Sequence, residues 1–271
     1  MATSDRPHVD ILGPIIPLFY QRHDDDLRRT AARFFGAAKS AILSLKNYYE
    51  FELPRLLAHK PLIPPNPRFL YPNTYRLLEN PDLLQYFRYT GKHVEPGQGK
   101  WDISRRLLYF AEAAEGIPKN LCIKFVRRYG KEADQHCAQR LIAPALYGLE
   151  ALHGGWYMIV MEAIDLQKYS LLCDMRLQDK QRKRIRDKLL DCLRSLHNDG
   201  MVHGDIRDTN LLVGPDDNIK LIDFDWAGQF GEVRYPMNIN RSTVVRPPTV
   251  FDGELVTPEH DCDMADLILP N

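Results

Sequence analysis

Val202-His203-Gly204-Asp205-Ile206-Arg207-Asp208-Thr209-Asn210-Leu211-Leu212-Val213 is followed closely by Lys220-Leu221-Ile222-Asp223-Phe224-Asp225, and these two runs concentrate the chemistry of this 271-residue chain. Leu211 to Val213 and Ile219 to Ile222 are short apolar strands on either side of Gly214-Pro215-Asp216-Asp217-Asn218, a composition that turns. A hairpin returns the chain to its start. Asp223, at the end of the second strand, is therefore expected beside Asn210, just before the first. Such a fold gathers an amide oxygen and a carboxylate in one small volume, with a further acid, Asp205, five positions before Asn210. Hard oxygen donors suit magnesium, which shares its shell with phosphate oxygens and water. An acid held off the metal can orient a hydroxyl and accept its proton.

Working outward, Asp179 to His197 has Ile185, Leu189, Leu193 and Leu196 on one face, and Gly200 ends this helix. Its basic run, Lys180 to Lys188, has a composition shared with nuclear-localisation and nucleic-acid-binding segments. Asp179, Asp187 and Asp191 interrupt it and its apolar positions keep helical spacing, so it reads as the solvated face of the helix. Further upstream the texture is β, with aromatic and aliphatic runs at Leu83 to Tyr89, Arg106 to Ala113 and Leu121 to Val126. A polar, glycine-containing loop, Gly91 to Lys100, separates the first two. A helix is expected over Gly130 to Arg140, then a hairpin of Ala145 to Leu152 and Trp156 to Ile164 turning at His153-Gly154-Gly155. Near the start, Leu27, Ala31, Phe34, Ala38, Ile42, Leu45 and Tyr48 give Asp24 to Glu50 a helical period, and Pro54 to Pro72 is extended or looped. Strands, then a helix, then mixed structure predict an α+β, two-lobe fold. Residues 1–82 form an N-terminal extension (helix plus proline-rich segment), 83–165 the first lobe and 166–271 the second.

The two runs resemble the signatures of the protein-kinase-like superfamily: H-R-D-x-x-x-x-N in the catalytic loop, and D-F-G. The resemblance implies Asp205 as catalytic base, Arg207 against the γ-phosphate, Asn210 and Asp223 as metal ligands, and His203 as support. Cys122-Ile123-Lys124-Phe125 resembles the V-A-I-K strand, which implies that Lys124 grips the α- and β-phosphates, with Glu132 as its ion-pair partner and Asp134 as the alternative. Met158 to Ile164 resembles the strand entering the interlobe hinge. That implies Met161 as gatekeeper, with the backbone at Glu162 and Ile164 meeting adenine. Over residues 83 to 265 the pattern is similar to fungal, basidiomycete-type protein-kinase-like proteins. It implies ATP and Mg2+ as cofactors and γ-phosphate transfer to a hydroxyl of a serine/threonine protein substrate. Gly204 replaces the arginine of H-R-D, a substitution also found in aminoglycoside- and choline-kinase-like enzymes, so a small hydroxyl-bearing acceptor is the alternative. Asp225 replaces the glycine of D-F-G. The only glycines available to a glycine-rich loop are Gly91, Gly97 and Gly99, which leaves an ATP-binding pseudokinase scaffold as a further alternative. The chain ends soon after Thr257-Pro258-Glu259-His260-Asp261, which predicts a reduced C-lobe.

Composition bounds these readings. The 36 basic and 36 acidic residues cancel, so no net field favours nucleic acid or an anionic membrane. Five scattered cysteines without a CxxC pair fit reduced thiols in the cytoplasm or nucleus. The apolar stretch Ile11 to Tyr20, broken by Gly13, Pro14 and Pro17, is too short to span a bilayer and lacks the basic flank of a signal peptide. Ile222-Asp223-Phe224-Asp225 also resembles the D-x-D motif of haloacid-dehalogenase-type phosphatases, but their mechanism needs a downstream lysine and none follows Asp225.

Overall fold

The computed structural model describes residues 25–52, 71–92, 107–114, 119–152 and 155–270. By its internal contacts the chain divides into Met1–Tyr71 and Pro72–Asn271. In the first unit, helix α1 (Asp25–Asn47) runs into a single π-helical turn, Tyr48–Glu52, as the spacing predicts. Phe35, Ile42, Leu43 and Leu45 on α1 are exposed. The run Ile11 to Tyr20 and nearly all of Pro54 to Pro72 lie outside the described residues. Among the described residues, no helix is long and apolar enough to cross a membrane.

The second unit begins with a six-stranded antiparallel sheet: β1 (Thr74–Arg76), β2 (Leu84–Lys92), β3 (Leu108–Ala113), β4 (Asn120–Val126), β5 (Leu146–Leu152) and β6 (Trp156–Glu162). Their spatial order is β1-β2-β3-β4-β6-β5. Two expectations need correction. The stretch 72–82, assigned to the extension by its prolines, instead supplies β1, with Tyr75 opposite Gln85. The loop expected from Gly91 starts later, because Gly91 and Lys92 still pair with Phe110 and Tyr109 of β3 across a register shift. The shift lets a glycine stay inside the strand where polar, glycine-containing sequence reads as a loop. Gly97 and Gly99 lie outside the described residues.

One aromatic ladder crosses four strands. The rings of Tyr75, Phe87, Tyr89, Tyr109 and Phe125 follow each other at 5.1–6.0 Å, mostly edge to face. This favoured ring geometry stabilises the sheet beyond the area it buries. Strand β4 lies inside the sheet between β3 and β6, which explains its near-continuous apolar run, Leu121, Cys122, Ile123, Phe125 and Val126 all being buried. Lys124 interrupts that run, opposite Leu108 of β3 and Ile159 of β6.

Helix α2 (Lys131–Gln139) links β4 to β5. After β7 (Ser170–Leu171) comes helix α3 (Asp179–Asn198), whose Ile185, Leu189, Cys192, Leu193 and Leu196 enter the main core. Several of its basic residues are engaged: Arg184 pairs with Asp217, Arg186 with Asp266, and Lys188 bonds the carbonyls of Asp216 and Asp217. Strand β8 (Met201–Val202) pairs with β11 (Gly228–Gln229), and β9 (Leu211–Val213) with β10 (Ile219–Leu221). Helix α4 (Pro258–Ile268) starts in the manner its sequence dictates, with Thr257 accepting the His260 N–H and Pro258 in the first turn.

Gly130 shows why the chain can pass so close between α2 and the segment after β10. Its N–H donates to Phe224 O at 2.8 Å, and a Cβ there would lie 2.6 Å from the Ala227 backbone. Replacing core and surface neighbours on α3 should separate packing from charge. Leu193→Ala is expected to cost about 2–5 kcal/mol through the cavity it leaves. Arg194→Ala, which loses only an exposed pair with Asp191, should stay within about 0.5 kcal/mol. Urea titrations of the two variants check this; equal losses would contradict the packing described.

Candidate active site

The β9–β10 hairpin does what its sequence predicts. Leu211 faces Leu221, and the Ile222 N–H donates to Asn210 O at 3.0 Å, so Asp223 emerges beside Asn210. Asp223 takes a left-handed backbone conformation, φ 72° and ψ 61°. Non-glycine residues rarely occupy that region, and such strain persists where surrounding contacts over-determine it.

The loop ahead of β9 is held from below by Asp261 of α4. This buried carboxylate accepts the backbone N–H groups of His203 and Gly204, each at 2.8 Å, and lies 3.1 Å from His197 Nε2. Gly204 sits at φ +81°, where a Cβ would meet Val256 at 3.1 Å and Trp226 at 3.3 Å. The glycine that departs from H-R-D is therefore a backbone requirement of this loop. His203 is buried edge-on against Phe224, with ring centres 4.8 Å apart, and its Nδ1 lies 3.2 Å from the Asp205 N–H. Burial pulls its pKa down, outweighing the nearby carboxylates. A neutral ring whose Nδ1 accepts this bond fits the supporting role.

Asp205 and Asn210 are buried together: Asn210 Nδ2 donates to Asp205 Oδ2 at 2.9 Å and to its backbone oxygen at 3.0 Å. The amide oxygen of Asn210 is thereby left for a cation. Arg207 Nε lies 3.1 Å from Asp205 Oδ2, and its Nη2 3.9 Å from Asp223 Oδ2. The other oxygen of Asp205 is taken by Arg246, whose Nη2 donates at 2.9 Å.

Lys124 reaches this group from β4, but its partners are not the expected ones. Its ammonium contacts Asp223 Oδ1 and Asp225 Oδ1, the latter at 2.6 Å. Glu132 is exposed and forms no ion pair among the described residues, so the expected Lys124–Glu132 pairing is absent. The reason is the short connection: α2 is only 9 residues long and turns Ala133, Asp134 and Cys137 inward, leaving Glu132 on its outer face. Asp134, the alternative, is buried and accepts a hydrogen bond from Tyr129 Oη at 2.6 Å.

Electrostatics follow from these contacts. Burial alone would lower the Lys124 pKa, but the two carboxylates override it and raise it, so the ammonium stays charged. For Asp223, burial pushes up and Lys124, then Arg207, pull down; the net is well below the usual carboxylate range. An ionised carboxylate beside an amide oxygen is a donor set that magnesium accepts. Asp225 is pushed up to about 7 by burial and by the charge of Asp223, against the pull of Lys124.

Of the residues expected at the hinge, Met161 pairs with Cys122 of β4 and Leu146 of β5, and Glu162 ends β6. The Glu162 N–H is committed to Ala145 O at 2.9 Å, and its carboxylate accepts the Ala145 N–H. Ile164 lies just beyond the sheet, and its N–H has no partner among the described residues. Sequence reading missed Asp261, Arg246 and both partners of Lys124, Asp223 and Asp225. Asp261 carried a signal: it shares a helical face with apolar Met264 and Ala265, where an unpaired acid would be costly.

With this geometry in place, comparison with known proteins is informative. A likeness to a solved structure, the Cydia pomonella Granulovirus kinase PK-1, has a TM-score of 0.53 at 17% identity and covers 68% of this chain and 66% of that one. The chain has a protein-kinase-like fold. Residues 144–262 match the family model described as protein kinase domain, a span that takes in Asp205, Asn210, Asp223 and Asp261 and leaves Lys124 outside. Among curated proteins, the serine/threonine-protein kinase STE20 of Yarrowia lipolytica is 31% identical over 112 residues, which is 39% of this chain and 9% of that protein. STE20 of Debaryomyces hansenii is 38% identical over 65 residues, 24% of this chain and 6% of that protein. The serine/threonine-protein kinase SMU1 of Mycosarcoma maydis is 37% identical over 70 residues, 26% and 9% respectively. The chain thus spans less than a tenth of the length of these relatives.

Asp134 offers a test of the inward face of α2. Burial pushes its carboxyl up to about 7, against the pulls of Tyr129 and Lys124. A raised carboxyl binds more protons folded than unfolded. Its contribution is therefore complete below about pH 4, near the ordinary carboxyl value, and is lost as pH rises through about 7. Asp134→Asn should show a smaller fall in stability between pH 5 and pH 8 than the wild type. Urea titrations at the two pH values check this, and identical falls would place Asp134 in water.

Proposed function

We propose that this chain is an ATP- and magnesium-dependent phosphotransferase of the protein kinase type that transfers the γ-phosphate to a serine or threonine hydroxyl of a protein. The observation that carries this reading is the convergence of Lys124, Asp205, Asn210 and Asp223 on one site from β4, the loop before β9 and the end of β10. A binding scaffold needs none of these four chemistries together. The family match over residues 144–262 and the serine/threonine kinase relatives point the same way.

Magnesium would supply positive charge against the nucleotide phosphates. In this chain the Asn210 amide oxygen and the ionised Asp223 carboxylate would hold it. Lys124, held by Asp223 and Asp225, supplies a fixed positive charge for the α- and β-phosphates. Asp205 orients the acceptor hydroxyl and takes its proton. Arg207, between Asp205 and Asp223, supplies charge near the transferring group. The Met161–Ile164 stretch forms the adenine edge, with the unpartnered Ile164 N–H as its donor.

Three measurements test the assignment. Asp205→Asn should fold and bind ATP, yet lose at least roughly a hundredfold in transfer to peptides, the low end for a positioned base; full activity in that variant would remove Asp205 from the mechanism. Wild-type protein at nucleotide concentrations about a hundred times the dissociation constant should gain roughly 2.7 kcal/mol, and only with magnesium present. Asp223→Ala should abolish the magnesium-dependent part of that gain, and a wild type indifferent to ATP and magnesium together would overturn the reading. In the same assay Glu132→Gln should behave as wild type while Asp225→Asn weakens nucleotide binding; the reverse order would restore Glu132 as the partner of Lys124.

A further inference from the structure

Arg246 is the most deeply buried cation of the site, its side chain only 1% exposed, and nothing in the motifs around Asp205 announces it. It belongs to the segment between β11 and α4. That segment folds back on itself through Tyr235 N to Glu254 O, Val256 N to Val233 O and a bridge between Arg234 and Leu255. Tyr235, Ile239, Val250 and Val256 build a small core there, joined by Val202 from β8 and flanked by Trp226. Within it, the Arg246 guanidinium stacks over the Trp226 ring at 5.0 Å, Nε donates to Asn240 O at 3.2 Å, and Nη2 donates to Asp205 Oδ1 at 2.9 Å.

The chain has Gly204 where H-R-D has its arginine, and a side chain there would be strained by the left-handed backbone and crowded by Val256 and Trp226. Here a cation comes from the other side: the segment brings its own arginine to the loop. A latch built to release would sit at the surface. Arg246 sits inside a core, held by a carboxylate, a carbonyl and a ring face while its Nη1 has no hydrogen-bond partner among the described residues, and its removal would leave one oxygen of a buried carboxylate unpaired.

We propose that Arg246 is a positioning residue for phosphoryl transfer: it holds the Asp205 carboxylate in place and ties the segment 230–256 to the catalytic loop without any phosphate. This rests on the kinase reading given above. Arg246 does not touch nucleotide in this scheme, so its loss should disturb turnover and spare nucleotide affinity.

The test uses the full chain pre-treated with a protein phosphatase that is then removed, with magnesium–ATP and a mixture of serine- and threonine-containing peptides. Wild-type kcat should be unchanged by the phosphatase, within about twofold. Arg246→Gln should lower kcat by roughly ten- to a hundredfold, the scale expected for a displaced catalytic group, with KM for ATP within twofold of wild type. Arg246→Lys, which keeps the charge but not the fork, should fall between the two. A kcat for Arg246→Gln equal to or above wild type overturns the proposal and makes the contact inhibitory. Phosphatase-sensitive wild-type activity overturns it by assigning the coupling to a phosphate. Should Arg246→Gln fail to fold, Arg246→Lys decides alone: lowered kcat at unchanged KM supports the role, and a raised KM for ATP overturns it. A wild type that neither binds nor turns over magnesium–ATP removes the kinase reading, and this proposal with it, a result distinct from any difference among the variants.

Discussion

The buried carboxylate of Asp261 is the contact on which the rest of the site depends. It is reached from α4, 58 residues after His203, and accepts the two consecutive backbone N–H groups of His203 and Gly204. A carboxylate removed from water needs compensation, and two amide donors with His197 alongside provide it. In return the loop cannot drift. With His203 and Gly204 fixed, Asp205 has one place to go, and Asn210, bonded to both its backbone and its side chain, is placed by the same anchor. A helix from the end of the described chain thus sets the geometry of a loop far upstream.

Around that anchor the charges form a closed network. Three cations, Lys124, Arg207 and Arg246, face three acids, Asp205, Asp223 and Asp225, and each cation contacts at least one acid. Attraction in a partly buried site is stronger than at the surface, so removing any one member exposes its partner to an uncompensated cost. The same network explains the divergence between the two acids of D-F-D. Asp223 lies between Lys124 and Arg207 and stays ionised, whereas Asp225 feels burial and its acidic neighbour first. Asp225 occupies the position of a glycine in the resembling motif, and the side chain thus gained holds Lys124 in the absence of an inward-facing acid at Glu132.

How much of this was legible differs from element to element, for physical reasons. Local signals were reliable where period and turn chemistry agree: α1, α3 with its closing glycine, the hairpin around Gly214 to Asn218, and the run from Val202 to Asp225. Boundaries slipped where a register shift keeps a glycine inside a strand, as at Gly91 in β2, and at β1, which proline-rich flanking sequence concealed. The Lys124 partner was misassigned because helical placement fixes only which residues are near in sequence; which face of a two-turn helix points inward is decided by packing.

By itself, then, the sequence determined the α+β class, the strand-then-helix order, and the placing of Asp205, Asn210 and Asp223 around one hairpin, because each follows from contacts within about twenty residues. Only the tertiary structure decided which acids embrace Lys124, that Asp261 carries the loop, that Gly204 is demanded by its backbone, and that Arg246 closes the site from the opposite side. These four depend on contacts between segments 41 to 101 residues apart or on space left by such contacts. A charge in a sequence announces that a partner is needed. Only packing, by excluding water from one pair rather than another, decides which partner it is.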